Sequence, residues 1–236
     1  MEPGDDILGQ ALEDYHFKGN SGKLIIHSPD FEDDDMAVSW YFRKFGEMPE
    51  LEQYALSLCR GRVLDAGAGA GSHSLFLQEQ GLDVTAMDSS PGACRVMKDR
   101  GVKKVVQGDI FTSIDKKYDT MLMLMNGIGI TSTLDGLDRF LDYLPGYLEE
   151  GGQLVFDSSN LIYLFQDRDG VAEINLAGTY YGEIEFRMEY LKQRGPFFRW
   201  LYVDFDLISE MCEDRGFRIE FLQKGDNLQY LARILP

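Results

Sequence analysis

The feature that most constrains this chain is a glycine-rich turn after a short apolar run at residues 63–72, Val-Leu-Asp-Ala-Gly-Ala-Gly-Ala-Gly-Ser. Asp65 ends the apolar run, and Gly67, Gly69 and Gly71 follow at alternating positions before a helical pattern begins. Without a Cβ atom, Gly67 and Gly69 adopt backbone angles that other residues avoid and let a ligand lie against the main chain. The pattern therefore predicts a buried strand, a ligand-binding turn and a helix, which is a typical unit of an α/β domain.

From residue 62 onward, predicted buried strands alternate with amphipathic helices, which is typical of a parallel sheet with helices on both faces. The last two predicted strands form a hairpin around Gly225-Asp226-Asn227, so one strand must run antiparallel. We therefore predict a doubly wound, Rossmann-like α/β sheet with one antiparallel edge strand. The predicted strands span 62–66, 83–87, 103–107, 118–125, 153–157, 217–223 and 228–234, and the predicted helices span 72–80, 91–100, 134–148 and 207–214.

Two segments do not follow this alternation. Residues 1–61 contain acidic and aromatic stretches, and residues 158–205 contain aromatic, strand-like runs. We predict a single domain in which an N-terminal cap, 1–61, and an inserted antiparallel hairpin, 158–205, act as a lid on an α/β core formed by 62–157 and 206–236.

Local patterns define these two segments further. The cap contains the acidic run 33–35, which we interpret as a solvated cluster at the N-terminus of a helix over 36–45 rather than as a metal site. In the inserted segment, strands over 180–190 and 197–205 are separated by the turn-forming residues 192–196. We expect these strands to form one antiparallel hairpin.

The charge of the chain disfavours nucleic acids and anionic membranes as partners. The formal net charge is −17, and no cluster of Lys and Arg is present in the 236 residues. Nucleic-acid binding depends on Lys and Arg contacts to phosphates, and an acidic protein is repelled by anionic lipid. We therefore expect a small-molecule partner, and neither a nucleic acid nor a membrane.

The sequence also lacks the patterns of a signal peptide, a membrane span and a metal site. The segment MEPGDDILGQ lacks the basic and apolar regions of a signal peptide, and the longest apolar run, 121–125, is too short to cross a bilayer. Cys59, Cys94 and Cys212 are scattered and odd in number, as expected of reduced thiols in a cytoplasmic protein. The three histidines share no metal-ligand spacing, so we predict no metal site.

Acidic side chains follow the strands next to the glycine turn. Asp88 ends the next strand, where its two oxygens suit the two neighbouring hydroxyls of a ribose. An NAD-binding protein places an acid there as well, so Asp88 alone does not decide between cofactors. The following strand ends in Gly-Asp-Ile, in which Asp109 can accept from an adenine amino group while Ile110 packs on the ring. A fourth strand ends in Met-Asn-Gly-Ile-Gly at 125–129.

Together, the G-x-G-x-G turn after Asp65, the acid at Asp88 and the Gly-Asp-Ile turn at 108–110 resemble class I S-adenosylmethionine-dependent methyltransferases of the small-molecule type. The resemblance covers residues 62–157 and implies methyl transfer from S-adenosylmethionine, with S-adenosylhomocysteine as product. The cofactor-binding residues that it implies are Asp65, Ala66, Gly67 and Gly69 at the methionyl end, Asp88 and Ser89 at the ribose, Asp109 and Ile110 at the adenine, Met125 and Asn126 at the sulfonium, and Arg43 at the carboxylate.

The sequence names no catalytic residue, because methyl transfer from a sulfonium needs mainly a nucleophile held in line. We interpret the histidines at 16, 27 and 73 as packing or surface residues. Aromatic side chains outside the α/β core are expected to wall an acceptor pocket, although a homodimer interface explains the aromatic hairpin equally well. A dehydrogenase and a non-catalytic cofactor-binding subunit are the alternative functions. The predicted substrate-binding residues are Tyr15, Tyr41, Tyr180, Trp200 and Tyr202.

Overall fold

The computed structural model of the protein describes residues 5–19, 22–111, 116–166 and 178–236. The strands form two separate sheets. In chain order, the helices and strands are α1 (Ile7–Lys18), β1 (Leu24–His27), β2 (Asp34–Met36), α2 (Glu50–Ser57), β3 (Arg62–Ala66), α3 (Ser72–Glu79), β4 (Asp83–Asp88), α4 (Pro91–Asp99), β5 (Val105–Gln107), β6 (Tyr118–Met123), α5 (Leu134–Tyr147), β7 (Leu148–Ser159), β8 (Glu183–Tyr190), β9 (Gln193–Leu201), α6 (Phe205–Glu213), β10 (Arg218–Lys224) and β11 (Gln229–Leu235). Short 3-10 helices span Val38–Phe42, Phe45–Glu47, Gly127–Thr131 and Leu161–Phe165.

The larger sheet has the strand order β10-β11-β7-β6-β3-β4-β5. The strands from β7 to β5 pair in parallel, whereas β11 runs antiparallel to both β7 and β10. The predicted doubly wound sheet with antiparallel pairing at one edge is therefore confirmed, and the antiparallel strand, β11, lies next to the edge strand β10. The strand order reverses between β3 and β6, and ligands bind in open α/β sheets at the carboxyl ends of the strands beside such a reversal.

Helices cover both faces of this sheet because successive residues of a strand point to opposite sides and both sides are apolar. Leu64 of β3 lies in one apolar cluster with Phe140 of α5 and Ile208 of α6. The adjacent Val63 lies in a different cluster with Leu77 of α3. Burial on both faces fixes the glycine turn that follows β3 at the edge of a rigid sheet.

Helix α1 of the N-terminal cap packs on α4 through two glycines. A Cβ atom on Gly92 would lie 2.6 Å from the backbone of Gly9, so the two helices approach closely. The carboxylate of Asp6 accepts hydrogen bonds from Gly9 N at 3.0 Å and from Gly92 N at 2.9 Å. Asp6 thereby caps α1 and joins the cap to the first turn of α4.

The smaller sheet has the order β2-β1-β8-β9, and all its strands are antiparallel to their neighbours. β1 and β2 belong to the N-terminal cap, whereas β8 and β9 belong to the inserted segment. The cap and the inserted hairpin, which sequence analysis treated separately, therefore form one sheet.

The connection within the hairpin differs from the prediction. The turn is formed by Leu191 and Lys192, with φ of 49° and 67°, as in the two-residue turns whose twist matches that of the flanking strands. Pro196 lies inside β9, where it is tolerated because β9 is an edge strand. The predicted separation at 192–196 is therefore wrong. Residues 167–177 of the inserted segment lie outside the described residues.

The helix predicted over 36–45 is also wrong. Met36 ends strand β2, which pairs with β1, and the short 3-10 helices Val38–Phe42 and Phe45–Glu47 follow it instead of an α-helix. The acidic run before it does not cap a helix. Instead, Asp33 Oδ1 lies 2.9 Å from His27 Nδ1.

Candidate functional site

A cavity of about 1180 Å³ lies between the carboxyl edge of the larger sheet and one face of the smaller sheet. Its first side, here called the turn wall, consists of the turns after β3, β4, β5 and β6. Its second side, the sheet wall, consists of apolar side chains of the smaller sheet. The turn wall includes residues 65, 67–69, 87–90, 108–111 and 124–127, and the sheet wall includes Ile26, Met36, Ile184, Phe186, Met188, Phe198 and Trp200.

The glycine turn after β3 is braced by β4. Gly67 and Gly69 have φ of +76° and +55°, which L side chains rarely adopt. Gly67 N donates to the main-chain oxygen of Met87 at 2.9 Å. Gly69 N donates to Asp88 Oδ2 at 2.8 Å. These bonds hold the turn with its backbone against the cavity.

Asp88 places a buried carboxylate on the turn wall. Its Oδ1 accepts from Ser90 N at 2.9 Å, and its Oδ2 accepts from Gly69 N. Burial raises the pKa of Asp88 to about 6, although the two backbone donors favour the ionised form. Since a carboxylate has about four acceptor positions, both oxygens retain capacity for further donors. The predicted neighbour Ser89 also lines the cavity.

Asp65 and Ala66, predicted together, differ in position. Asp65 lines the cavity and accepts from Ser74 Oγ at 2.6 Å. Burial raises the pKa of Asp65, although His73 and Ser74 act in the opposite direction. The side chain of Ala66 is buried in the core of the sheet, and Ala66 does not line the cavity.

Arg43, from the cap, reaches the same end of the cavity. Its Nε donates to the main-chain oxygen of Trp40 at 2.9 Å, and its Nη2 lies 2.8 and 3.0 Å from the two carboxylate oxygens of Glu52. Its Nη1 is buried and has no hydrogen-bond partner among the described residues. A buried cation with a free edge is suited to an anionic ligand group.

The turn after β5 brings Asp109 and Ile110 to the cavity. Asp109 is an exposed residue, and its Oδ1 accepts from Phe111 N at 2.6 Å. Ile110 is 2% exposed, and its main-chain oxygen accepts from the hydroxyl of Tyr147 at 2.6 Å. The next residue, Phe111, also lines the cavity and was not predicted.

The turn after β6 contains two consecutive non-glycine residues in the left-handed region, Met125 at φ 64° and Asn126 at φ 54°. Such residues cost about 1–3 kcal/mol each and persist only when neighbouring groups hold them. Here Asn126 N donates to Asp157 Oδ1 at 2.9 Å, and Trp200 Nε1 donates to the main-chain oxygen of Asn126 at 3.0 Å. Ser159 Oγ donates to Asn126 Oδ1 at 2.8 Å. The strained turn is thus held by side chains of β7 on one side and by Trp200 of the sheet wall on the other.

Asp157 is a functional candidate that sequence analysis did not assign to the site. It is fully buried at the carboxyl end of β7 and also accepts from Gln229 Nε2 at 2.7 Å. Burial raises the pKa of Asp157 to about 6, against the effect of its hydrogen bonds. Its position, an acid at the end of a predicted strand, is the signal that it shares with Asp65 and Asp88.

The sheet wall was not predicted as such, although its alternation is visible in the sequence. Ile184, Phe186 and Met188 alternate with charged residues along β8. Residues with this period lie on one face of a strand. Phe198 continues the same apolar face on β9, where the preceding Phe197 points away and is contacted by the Arg187 guanidinium at 4.5 Å.

Three of the five predicted aromatic residues line the cavity, namely Tyr41, Trp200 and Tyr202. The other two do not. Tyr15 packs against Phe42 with ring centroids 4.6 Å apart. The hydroxyl of Tyr180 donates to Asp204 Oδ2 at 2.7 Å.

Three further observations concern the described part of the chain. There, no group of three or more His, Cys, Asp or Glu side chains is arranged to hold a metal ion. None of its helices is long and apolar enough to cross a membrane. Cys59, Cys94 and Cys212 are free thiols.

Comparison with known proteins gives the following matches. Residues 64–156 match a family model described as a methyltransferase domain. A SAM-dependent methyltransferase from Bacteroides fragilis, solved in complex with S-adenosyl-L-homocysteine, is 40% identical with a TM-score of 0.93, and the match covers 99% of this chain and 96% of that chain. The DhpI-SAM-HEP complex is 19% identical with a TM-score of 0.58, covering 84% and 95% of the two chains.

The CcbJ methyltransferase from Streptomyces caelestis is 15% identical with a TM-score of 0.58, covering 82% of this chain and 92% of that chain. At such low identity, this match and the one to DhpI support the fold alone. No curated protein matches the chain.

Proposed function

This chain belongs to the S-adenosylmethionine-dependent methyltransferases, and we propose that its acceptor is a small molecule methylated at nitrogen or oxygen. The observation that carries the proposal is the size and two-sided composition of the cavity. Pockets for drug-sized ligands have volumes of about 300–1000 Å³, so a cavity of about 1180 Å³ has room for a cofactor and a small acceptor together. Family membership decides against the dehydrogenase alternative.

The turn wall, together with Arg43 of the cap, fits the cofactor. Arg43 has a free N–H edge for a carboxylate, and Asp88 has free acceptor capacity for ribose hydroxyls. The open backbone at the glycine turn admits a ligand that side chains would exclude. The residues that we propose to hold the cofactor are Arg43, Asp65, Gly67, Gly69, Asp88, Ser89, Asp109, Ile110, Met125 and Asn126.

The sheet wall fits the acceptor. Its apolar side chains exclude water from the reacting atoms and would bury an apolar part of the acceptor. When bound, S-adenosylmethionine supplies an electrophilic methyl group on a sulfonium. Burial raises the pKa of Tyr202 to about 12, so its hydroxyl remains protonated and orients the acceptor by hydrogen bonding rather than by removing a proton.

The overall charge and the thiols support the remaining parts of the proposal. A net charge of −17 disfavours nucleic acid as acceptor. Three free cysteines are typical of a reducing compartment, which supports a cytoplasmic location.

The proposal is tested by incubating the protein and S-adenosylmethionine with a panel of small amines and phenols and measuring release of S-adenosylhomocysteine. We expect turnover with acceptors that carry an apolar body. With such an acceptor, Phe198→Ala should raise KM about tenfold, whereas Phe197→Ala, on the other face of β9 and 48% exposed, should leave KM unchanged.

Two outcomes would contradict this assignment. Methylation of only protein or nucleic acid would exclude a small-molecule acceptor. A Phe198→Ala variant that changes the molecular mass in light scattering, but not turnover, would identify the sheet wall as a homodimer interface.

A further inference from the structure

Three buried charged side chains, Arg43, Glu52 and His73, form a hydrogen-bonded network next to the glycine turn. Glu52 of α2 is 5% exposed and contacts Arg43 Nη2 through both carboxylate oxygens, at 2.8 and 3.0 Å. Its Oε2 also lies 2.9 Å from His73 Nε2, and His73 is 8% exposed at the start of α3. This network joins Arg43 and α2 of the cap to α3, at the end of the cavity where Asp65 and Arg43 lie.

The contacts among these side chains determine their protonation states. Burial alone raises the pKa of Glu52, but His73 and Arg43 outweigh burial and lower it. Burial lowers the pKa of His73, but the hydrogen bond to Glu52 and the carboxylate of Asp65 outweigh burial and raise it. Glu52 is therefore ionised, and His73 donates its Nε2 proton to it.

Buried ions are costly unless they are paired, and Glu52 is paired on two sides. Arg43 is not fully paired, because its Nη1 is buried without a partner among the described residues. The contact of Nη2 with Glu52 and the hydrogen bond from Nε to the main-chain oxygen of Trp40 together fix the plane of the guanidinium, so Glu52 helps to determine the direction in which the free Nη1 of Arg43 points.

We propose that Glu52 and His73 are positioning residues for the amino-acid end of the cofactor: Glu52 orients Arg43 towards the cofactor carboxylate, and His73 holds Glu52 in place. Neither residue touches the cofactor in this account. The proposal rests on the cofactor placement given under the proposed function.

The test compares two ligands by isothermal titration calorimetry. S-adenosylhomocysteine carries the amino-acid end, whereas 5′-methylthioadenosine has the same nucleoside and a thioether but lacks it. For Glu52→Gln, we expect the affinity for S-adenosylhomocysteine to fall about tenfold or more and the affinity for 5′-methylthioadenosine to change less than twofold. Arg43→Met should give the same pattern with a larger loss.

Two variants of His73 separate positioning from packing. The readout is the ratio of the affinity for S-adenosylhomocysteine to the affinity for 5′-methylthioadenosine. In His73→Gln, the amide Nε2 reaches about the same place as the histidine Nε2 and donates to Glu52, so this ratio should stay near that of the wild type. In His73→Ala the ratio should fall. Glu13→Gln is the matched control, because Glu13 forms a bidentate pair with Arg95 away from the cavity, at 2.6 and 3.0 Å.

Three results would overturn the proposal. Equal losses for both ligands in Glu52→Gln would show a general collapse of the site. If the ratio is unchanged in Glu52→Gln but reduced in Arg43→Met, Glu52 does not position Arg43, although Arg43 still binds the amino-acid end of the cofactor. An unchanged ratio in Arg43→Met would contradict the placement itself.

Discussion

The two walls of the cavity are built in opposite ways. The turn wall presents main-chain groups and carboxylates from the ends of β3, β4, β5 and β6, which are parallel strands of the larger sheet. The sheet wall presents apolar side chains from strands far apart in the chain, as in the register of Ile26 with Met188. Polar groups at fixed positions suit a ligand with a constant structure, whereas an apolar face accepts a range of shapes. We infer that the turn wall determines cofactor affinity and the sheet wall determines acceptor choice.

The walls are nevertheless joined at one point. The indole of Trp200, on the sheet wall, donates to the main-chain oxygen of Asn126 on the turn wall. A Cβ atom on Gly129 would lie 2.1 Å from the Trp200 indole nitrogen, so the packing at this junction leaves no room for a side chain. Substitutions of Trp200 would therefore affect both walls, and clean tests of the comparison use other residues.

The largest expected effect is at the glycine turn. In Gly67→Val, the new Cβ would lie 2.4 Å from Ile130 Cδ1 in a backbone conformation with φ of +76°. We expect the affinity for S-adenosylhomocysteine in calorimetry to fall about a hundredfold or more, with a circular dichroism spectrum like that of the wild type.

Gly81→Val is the matched control for this variant. Gly81 has a φ of +86°, but nothing lies within 4 Å of its added Cβ. It should lower stability without changing affinity. Retained binding by a folded Gly67→Val variant would contradict the contact.

The next largest effect is at the ribose position. Asp88→Ala should weaken S-adenosylhomocysteine binding by about 2–4 kcal/mol, because a charged acceptor is lost. Asp83→Ala, at the other end of β4 and paired with Lys104 at the surface, should bind like the wild type. Equal affinity of the Asp88→Ala and Asp83→Ala variants would remove Asp88 from the site.

A smaller effect, on stability, is expected at Asp157, whose carboxylate accepts a hydrogen bond from Asn126 N in the turn wall. Its folded-state pKa of about 6 lies above the ordinary value, so its protonated form stabilises the fold at low pH and this contribution is lost as the pH rises from about 4 to 6. In Asp157→Asn this loss should be absent. The free energy of unfolding of Asp157→Asn relative to wild type should therefore rise by about 2–3 kcal/mol between pH 4 and pH 7. Parallel stability curves over that range would contradict the pKa assignment.

The same contrast explains what sequence predicts here. The turn-wall residues Asp65, Asp88 and Asp109 all line the cavity, because each lies at or just after the carboxyl end of a strand and parallel strands end at one edge. The cap is predicted less well, since its residues 36–45 carry a helical pattern but form the end of β2 and short 3-10 helices, and β2 is held by long-range assembly of β1 with β8. Aromatic composition alone did not distinguish Tyr202, which lines the cavity, from Tyr180, which packs beside Asp204.

Arg43 and Asp157 illustrate a second limit. The sequence suggests Arg43 only by resemblance. Its guanidinium is oriented by Glu52, which in turn contacts His73, and these two residues come from α2 and α3. Asp157 contacts the Asn126 turn across neighbouring strands. The sequence shows that Asp157 ends a strand, but the contacts that give Arg43 and Asp157 their roles depend on the packed structure.

The central claim, that the two walls have separate tasks, is tested most directly by the affinity of S-adenosylhomocysteine for a sheet-wall variant. In the double variant Phe186→Ala and Phe198→Ala, both truncated side chains belong to the sheet wall. The account predicts a Kd within about twofold of the wild type, although Asp88→Ala loses about 2–4 kcal/mol in the same calorimeter. A loss in the double variant as large as that in Asp88→Ala would contradict the division of the cavity into a cofactor side and an acceptor side.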